Sequence, residues 1–126
     1  MHCGVDKFQV VQAAYHDAYI RANVDMLNFL QHNCFFNVRD GVVKSKQEFL
    51  KIVQMKLERG KWFSSDSSFT FEQNSIEVED LMVSSCGIYR VKTLDSVFSM
   101  FVKELWIFVP DVSWKILSFV IHTKHQ

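Results

Sequence analysis

The 126 residues are the length of one domain, and 48% apolar against 22% charged residues is a composition that folds rather than stays disordered. Lysine plus arginine number 14 and aspartate plus glutamate number 14, which excludes the charge footprint of a nucleic-acid or anionic-membrane binder. No run approaches the ~20 apolar residues of a membrane span, and Met1 to Lys7 lacks the apolar stretch of a signal peptide. In chain order, Phe8, Val11, Tyr15, Ala18, Tyr19 and Ala22 share one face at helical spacing, with Gln9, Gln12, His16 and Asp17 elsewhere and His16 expected to face solvent. Asp25 is placed to cap a short second helix carrying Leu27, Phe29 and Leu30. Cys34 to Val38 reads as a short strand closed by Asp40-Gly41, a pair that supplies the positive φ angles of a tight hairpin turn. Ser45 and Glu48 have the spacing of a capping box, opening a third helix with Phe49, Leu50, Ile52, Val53 and Leu57 on one side and Gly60 at its end.

From about residue 68 the period changes from helical to extended, with strands predicted near 68–79, 81–93, 96–109 and 113–123. Helices first and an antiparallel meander afterwards predict an α+β domain over 1–126. A turn tip at Leu94-Asp95 sets Tyr89 opposite Met100 and Val91 opposite Phe98; a loop from Pro110 to Ser113 sets Trp106 opposite Leu117, Glu104 opposite Phe119 and Val102 opposite Ile121. One face then carries Tyr89, Met100, Val102, Glu104, Trp106, Leu117, Phe119 and Ile121. The other carries Cys86, Ile88, Phe101, Leu105, Ile107, Trp114, Ile116 and Val120, with Arg90, Lys103 and His122 among them. Both are too apolar to meet water, and the helices cover one. A second copy of the chain is the expected cover of the other, making a homodimer through the outer sheet face.

The 12 phenylalanines, 3 tryptophans and 3 tyrosines exceed what one small core needs, so some are expected to line a pocket or interface. Cys3, Cys34 and Cys86 are odd in number with no CxxC pair, which points to free thiols, a reducing and hence cytoplasmic location, and no metal site. His2, His16, His32 and His125 show no metal-ligand spacing, and no cofactor motif is present.

Helix, short helix, hairpin, capped helix and meander is the order of the nuclear-transport-factor-2-like fold, the cystatin-like cone in which three N-terminal helices pack on a curved, mostly antiparallel sheet. Asn23 to Gly41, Val42 to Phe49, and Leu105-Trp106-Ile107 followed by Ser113-Trp114-Lys115-Ile116 resemble successive pieces of its SnoaL-like members. The resemblance covers nearly the whole chain. It implies one SnoaL-like domain that binds a small hydrophobic molecule in its cone. Ketosteroid-isomerase-like members place an Asp at the end of the first strand, a tyrosine on the first helix and a second carboxyl on the penultimate strand. Here the first of these positions falls at Asn37 or Val38, which cannot accept a proton, with Asp40 nearby in the turn; Tyr15 or Tyr19 and Glu104 match the other two.

Glu104 is therefore the candidate acid, surrounded by apolar neighbours and stripped of water, or else a carboxylate paired with a nearby cation. Tyr15 is its candidate partner, and Tyr19, Tyr89, Trp106 and Phe119 are the expected pocket lining; each reads equally as core mass. Three functions stay open: a binder of small hydrophobic molecules, a cyclase, isomerase or dehydratase using Glu104 and a helix-1 tyrosine, and a protein-association module whose pocket is filled by its own rings. The free volume of the interior separates the first two from the third.

Overall fold

The structure is a computed structural model describing residues 5–63 and 66–123. Nine elements follow in order: α1 (Val5–Arg21), α2 (Val24–Leu30), β1 (Gln31–Arg39), β2 (Val42–Ser45), α3 (Lys46–Glu58), β3 (Ser68–Glu79), β4 (Met82–Lys92), β5 (Val97–Val109) and β6 (Ser113–Thr123). The strands form one six-stranded sheet in the order β2-β1-β6-β5-β4-β3, antiparallel except where β1 runs parallel to β6. The α+β class and the N-terminal placement of three helices match expectation. No helix among the described residues is long and apolar enough to cross a membrane.

Local chemistry explains the boundaries. The α2 N-cap is Asn23, whose side chain accepts from the Met26 amide, rather than Asp25. Asn23 immediately precedes the first helical residue, whereas Asp25 already lies in the first turn. Asp40 (φ 49°) and Gly41 (φ 85°) turn the β1–β2 hairpin so that Arg39 pairs with Val42. Ser45 and Glu48 make the reciprocal capping box of α3, and Gly60 (φ 65°) follows its end. Phe49 and Val53 are buried on that helix, but Leu57, in its last turn, is exposed rather than on the buried side. The first strand starts three residues earlier than expected. Gln31, His32 and Asn33 hide it from an apolar count, while pairing with β6 begins at Gln31.

The β4–β5 register is the expected one, with Tyr89 opposite Met100 and Val91 opposite Phe98. The β5–β6 register differs in one place. Val109 pairs with Ser113, so the loop has three residues, Pro110 to Val112, with Asp111 at φ 65°. An odd loop inverts side-chain parity, and a bulge at Leu117 inverts it again. Trp106 therefore opposes Ile116 rather than Leu117, and Trp114 and Ile116 are buried on the helix-covered face instead of lying on the outer one. Past the bulge, Glu104 pairs with Phe119 and Val102 with Ile121, as expected. Two opposite errors of one residue cancel before Glu104 is reached.

Gly87 opens space on the same face. A Cβ there would lie 2.4 Å from the Phe71 ring and 2.6 Å from the Glu72 carbonyl, so the bare glycine lets Phe71 lie across β4. Cys34 and Cys86 are free thiols on β1 and β4, with β6 and β5 between them. Cys3, His2 and His125 lie outside the described residues.

Candidate functional site

Glu104 points from β5 into the space between sheet and helices, with its side chain fully excluded from solvent. A carboxyl so placed needs donors, and the chain supplies three. Oε1 accepts from the Gln12 amide nitrogen and the Trp106 indole nitrogen, each at 2.9 Å. Oε2 meets Nε2 of His16 at 2.5 Å, which makes this a buried acid–imidazole contact. The Gln12 amide also donates to the Ser85 hydroxyl at 3.1 Å, which in turn donates to the Gln73 carbonyl at 3.1 Å. The network thus ties α1 to β3, β4 and β5.

Gln12 and His16 stand one helical turn apart and present both side chains to the same carboxyl. His16 is 4% exposed, which corrects the expectation of a solvent-facing histidine. Its ring is held between Phe71 (4.4 Å) and Tyr89 (4.7 Å, perpendicular). Counting apolar residues sends every polar side chain of α1 to solvent. The signal that could have found this pair is the spacing Phe8, Gln12, His16, which falls on one face, together with an interior Glu104 that requires donors.

The other candidates surround this network as a packed set of rings. Tyr15 stands edge-on to Trp106 (5.6 Å) and Phe119 (5.4 Å), and its hydroxyl accepts from the Gln31 amide at 3.1 Å. Tyr19 stands edge-on to Phe119 at 5.1 Å and Trp62 at 5.3 Å. Tyr89 meets Phe119 at 6.3 Å, and its hydroxyl is buried with no hydrogen-bond partner among the described residues. Tyr15, Tyr19, Tyr89, Trp106 and Phe119 are each at most 1% exposed. The structure brings all six candidates into one interior. The Glu104 oxygens are bonded there to Gln12, Trp106 and His16, and the Tyr15 hydroxyl to Gln31.

Of these six residues, Tyr19 lines a surface cleft, a space of about 60 Å³ it shares with Asn37, Phe49 and Trp62. Asn37, at the position where an isomerase-like base is expected, donates to the Phe119 carbonyl at 2.9 Å and acts as a sheet tie.

Burial raises all three tyrosines. It pushes Tyr19 up to about 12, and holds Tyr15 and Tyr89 well above the ordinary phenol value, with the nearby Glu104 charge adding to both. The folded chain therefore keeps these protons to higher pH than the unfolded one. That contribution to stability is complete below about pH 10 and is lost as pH rises through the folded values. We expect tyrosinate absorbance near 295 nm to stay flat past pH 10 and then appear together with loss of far-ultraviolet circular dichroism. A tyrosine titrating near pH 10 with the fold intact would contradict the closed interior.

No protein-family model matches the chain, and no curated protein matches it in sequence. Solved structures do match. An NTF2-like protein from Cytophaga hutchinsonii superposes with a TM-score of 0.69 at 15% identity, over 94% of this chain and 97% of that one. A ketosteroid isomerase-like protein from Erwinia carotovora atroseptica gives 0.75 at 10% identity, over 97% of both chains. A protein of unknown function with a cystatin-like fold from Nostoc punctiforme gives 0.75 at 12% identity, over 94% and 89%. Likeness at these identities establishes the fold, which is the nuclear-transport-factor-2-like, cystatin-like one.

Proposed function

We propose that this chain works by association: a nuclear-transport-factor-2-like domain that pairs with a second copy of itself through the outer sheet face, its cone closed by its own side chains. The observation that carries this reading is the filled interior. Phe8, Tyr15, Tyr19, Tyr89, Trp106 and Phe119 occupy the space where a small hydrophobic ligand would sit, each at 1% exposure or less. The cleft reaching Tyr19 holds about 60 Å³, against the roughly 300–1,000 Å³ of ligand pockets. An enzyme using Glu104 and Tyr15 would first have to release Glu104 from Gln12, Trp106 and His16. Free Cys34 and Cys86 suit the reducing, cytoplasmic setting we assign to it.

This reading assigns the interface to the outer sheet face. Ile88, Leu105, Ile107, Leu117 and Val120 are half-buried there and Phe101 is 42% exposed, with the exposed Arg90, Lys103 and His122 among them, Lys103 lying between Cys86 and Val120. The closed interior is tested by titrating a Trp62→Phe variant, whose remaining tryptophans are both buried, with neutral N-phenyl-1-naphthylamine. The expected result is no saturable energy transfer from Trp106 or Trp114 in the micromolar range. Saturable transfer at one dye per chain that survives the further change Phe98→Ala, which removes an exposed surface ring, would replace this reading with an open ligand-binding cone.

A further inference from the structure

A second cleft, of about 410 Å³, lies between the end of β1, α3, the segment after α3 and the β4–β5 turn. Arg39, Lys56 and Lys61 line it together with Trp62, Phe63 and Phe98, and among the described residues no carboxylate does. The adjoining small cleft shares Arg39, Lys56 and Trp62 and adds Lys44, another cation. Among the described residues, Arg39, Lys56 and Lys61 form no ion pair. Arg39 and Lys56 are nonetheless half-buried, where like charges are screened less than at an open surface. Crowding cations without a counter-ion costs stability, and an arriving anion relieves it.

The apolar half of the cleft is equally ordered. Phe63 stacks on Phe98 at 5.8 Å and 14°, and Trp62 stands across Phe63 at 5.4 Å and 79°. The Trp62 indole N–H donates to the Tyr19 carbonyl at 2.8 Å, which fixes the ring in place. Rings held in advance accept a flat molecule without losing rotamer freedom on binding. A guanidinium fork beside them suits a carboxylate, sulfonate or phosphate oxygen pair.

We propose that this cleft binds a small aromatic anion, its flat body against Trp62, Phe63 and Phe98 and its charged head between Arg39 and Lys56. The volume is in the range of small-molecule sites. The cleft adjoins the small space that reaches Tyr19, sharing Arg39, Lys56 and Trp62 with it, but takes no part in the Glu104 network or the outer sheet face, so a ligand here leaves the association reading unchanged.

The test uses two dyes that differ only by a sulfonate group, 8-anilinonaphthalene-1-sulfonate and N-phenyl-1-naphthylamine, titrated against the whole chain by dye fluorescence. The sulfonate should bind at one site per chain and the neutral dye at least about tenfold more weakly, the gap narrowing as salt is raised. Arg39→Gln with Lys56→Gln should weaken the sulfonate about tenfold while the neutral dye is unaffected. Lys7→Gln with Lys51→Gln, exposed on α1 and α3 and outside the cleft lining, should change neither. If the first double variant loses its circular dichroism, the single Lys61→Gln, at an exposed position, gives the same reading with an expected loss of about threefold. Equal affinity for the two dyes, unchanged affinity in the cleft variants, or an equal loss in the control variant would each overturn the assignment.

Discussion

Replacing Glu104 with alanine should destabilise the fold by about 3–5 kcal/mol, the loss expected when the shared acceptor of a buried polar network is removed. The carboxyl accepts from Gln12 and Trp106 and meets His16, and all of these side chains are buried. Alanine leaves the buried His16 and Trp106 ring nitrogens without a partner and takes from the Gln12 amide one of its two acceptors, the other being Ser85. Glu104→Gln keeps an oxygen for Gln12 and Trp106 and turns an amide toward His16. It loses charge assistance but not shape, so its cost should be smaller, about 1–3 kcal/mol. Urea denaturation of Glu104→Gln, His16→Ala and the double variant closes a cycle whose coupling should exceed about 1 kcal/mol. A lone buried acid would behave differently: Glu104→Gln would be neutral or stabilising and its coupling to His16 absent.

Ile107→Asp and Ile116→Asp should separate assembly from folding. Ile107 is half-buried on the outer face, paired with Lys115 on β6, whereas Ile116 is fully buried opposite Trp106. In the proposed dimer, an aspartate at 107 places a desolvated carboxylate inside the interface, its cross-strand neighbour Lys115 already bonded to the Phe29 carbonyl. That costs about 3 kcal/mol or more, over a hundredfold in the dimer dissociation constant. The variant should be a folded monomer with native circular dichroism. The same charge at 116 lies in the core and should prevent folding. A dimeric Ile107→Asp protein would place the interface elsewhere.

Much of this fold is legible in the sequence because its punctuation is chemical. Asp40-Gly41, the Ser45–Glu48 box and Gly60 each have one structural use, and each is found in that use. The long strands are legible because apolar alternation runs for a dozen residues. The β5–β6 loop was harder, because Pro110 to Ser113 offers no residue that distinguishes three from four loop positions. The bulge at Leu117 is visible only once β5 and β6 are paired. The interior position of Glu104 could be inferred all the same, since loop and bulge offset one another before that residue. Its partners could not. Gln12 and His16 are polar residues on a helix, and a periodicity count sends them outward; only a buried carboxyl on β5, 88 residues beyond His16, gives them a reason to turn in.

Sedimentation equilibrium of the unmodified chain at micromolar concentration tests the association account most directly. A dimer held by the β4–β5–β6 face should sediment with a mass near twice 14.8 kDa across the concentration series. A stable species of 14.8 kDa with native circular dichroism would leave Phe101, Ile107 and Leu117 facing water, and would contradict it.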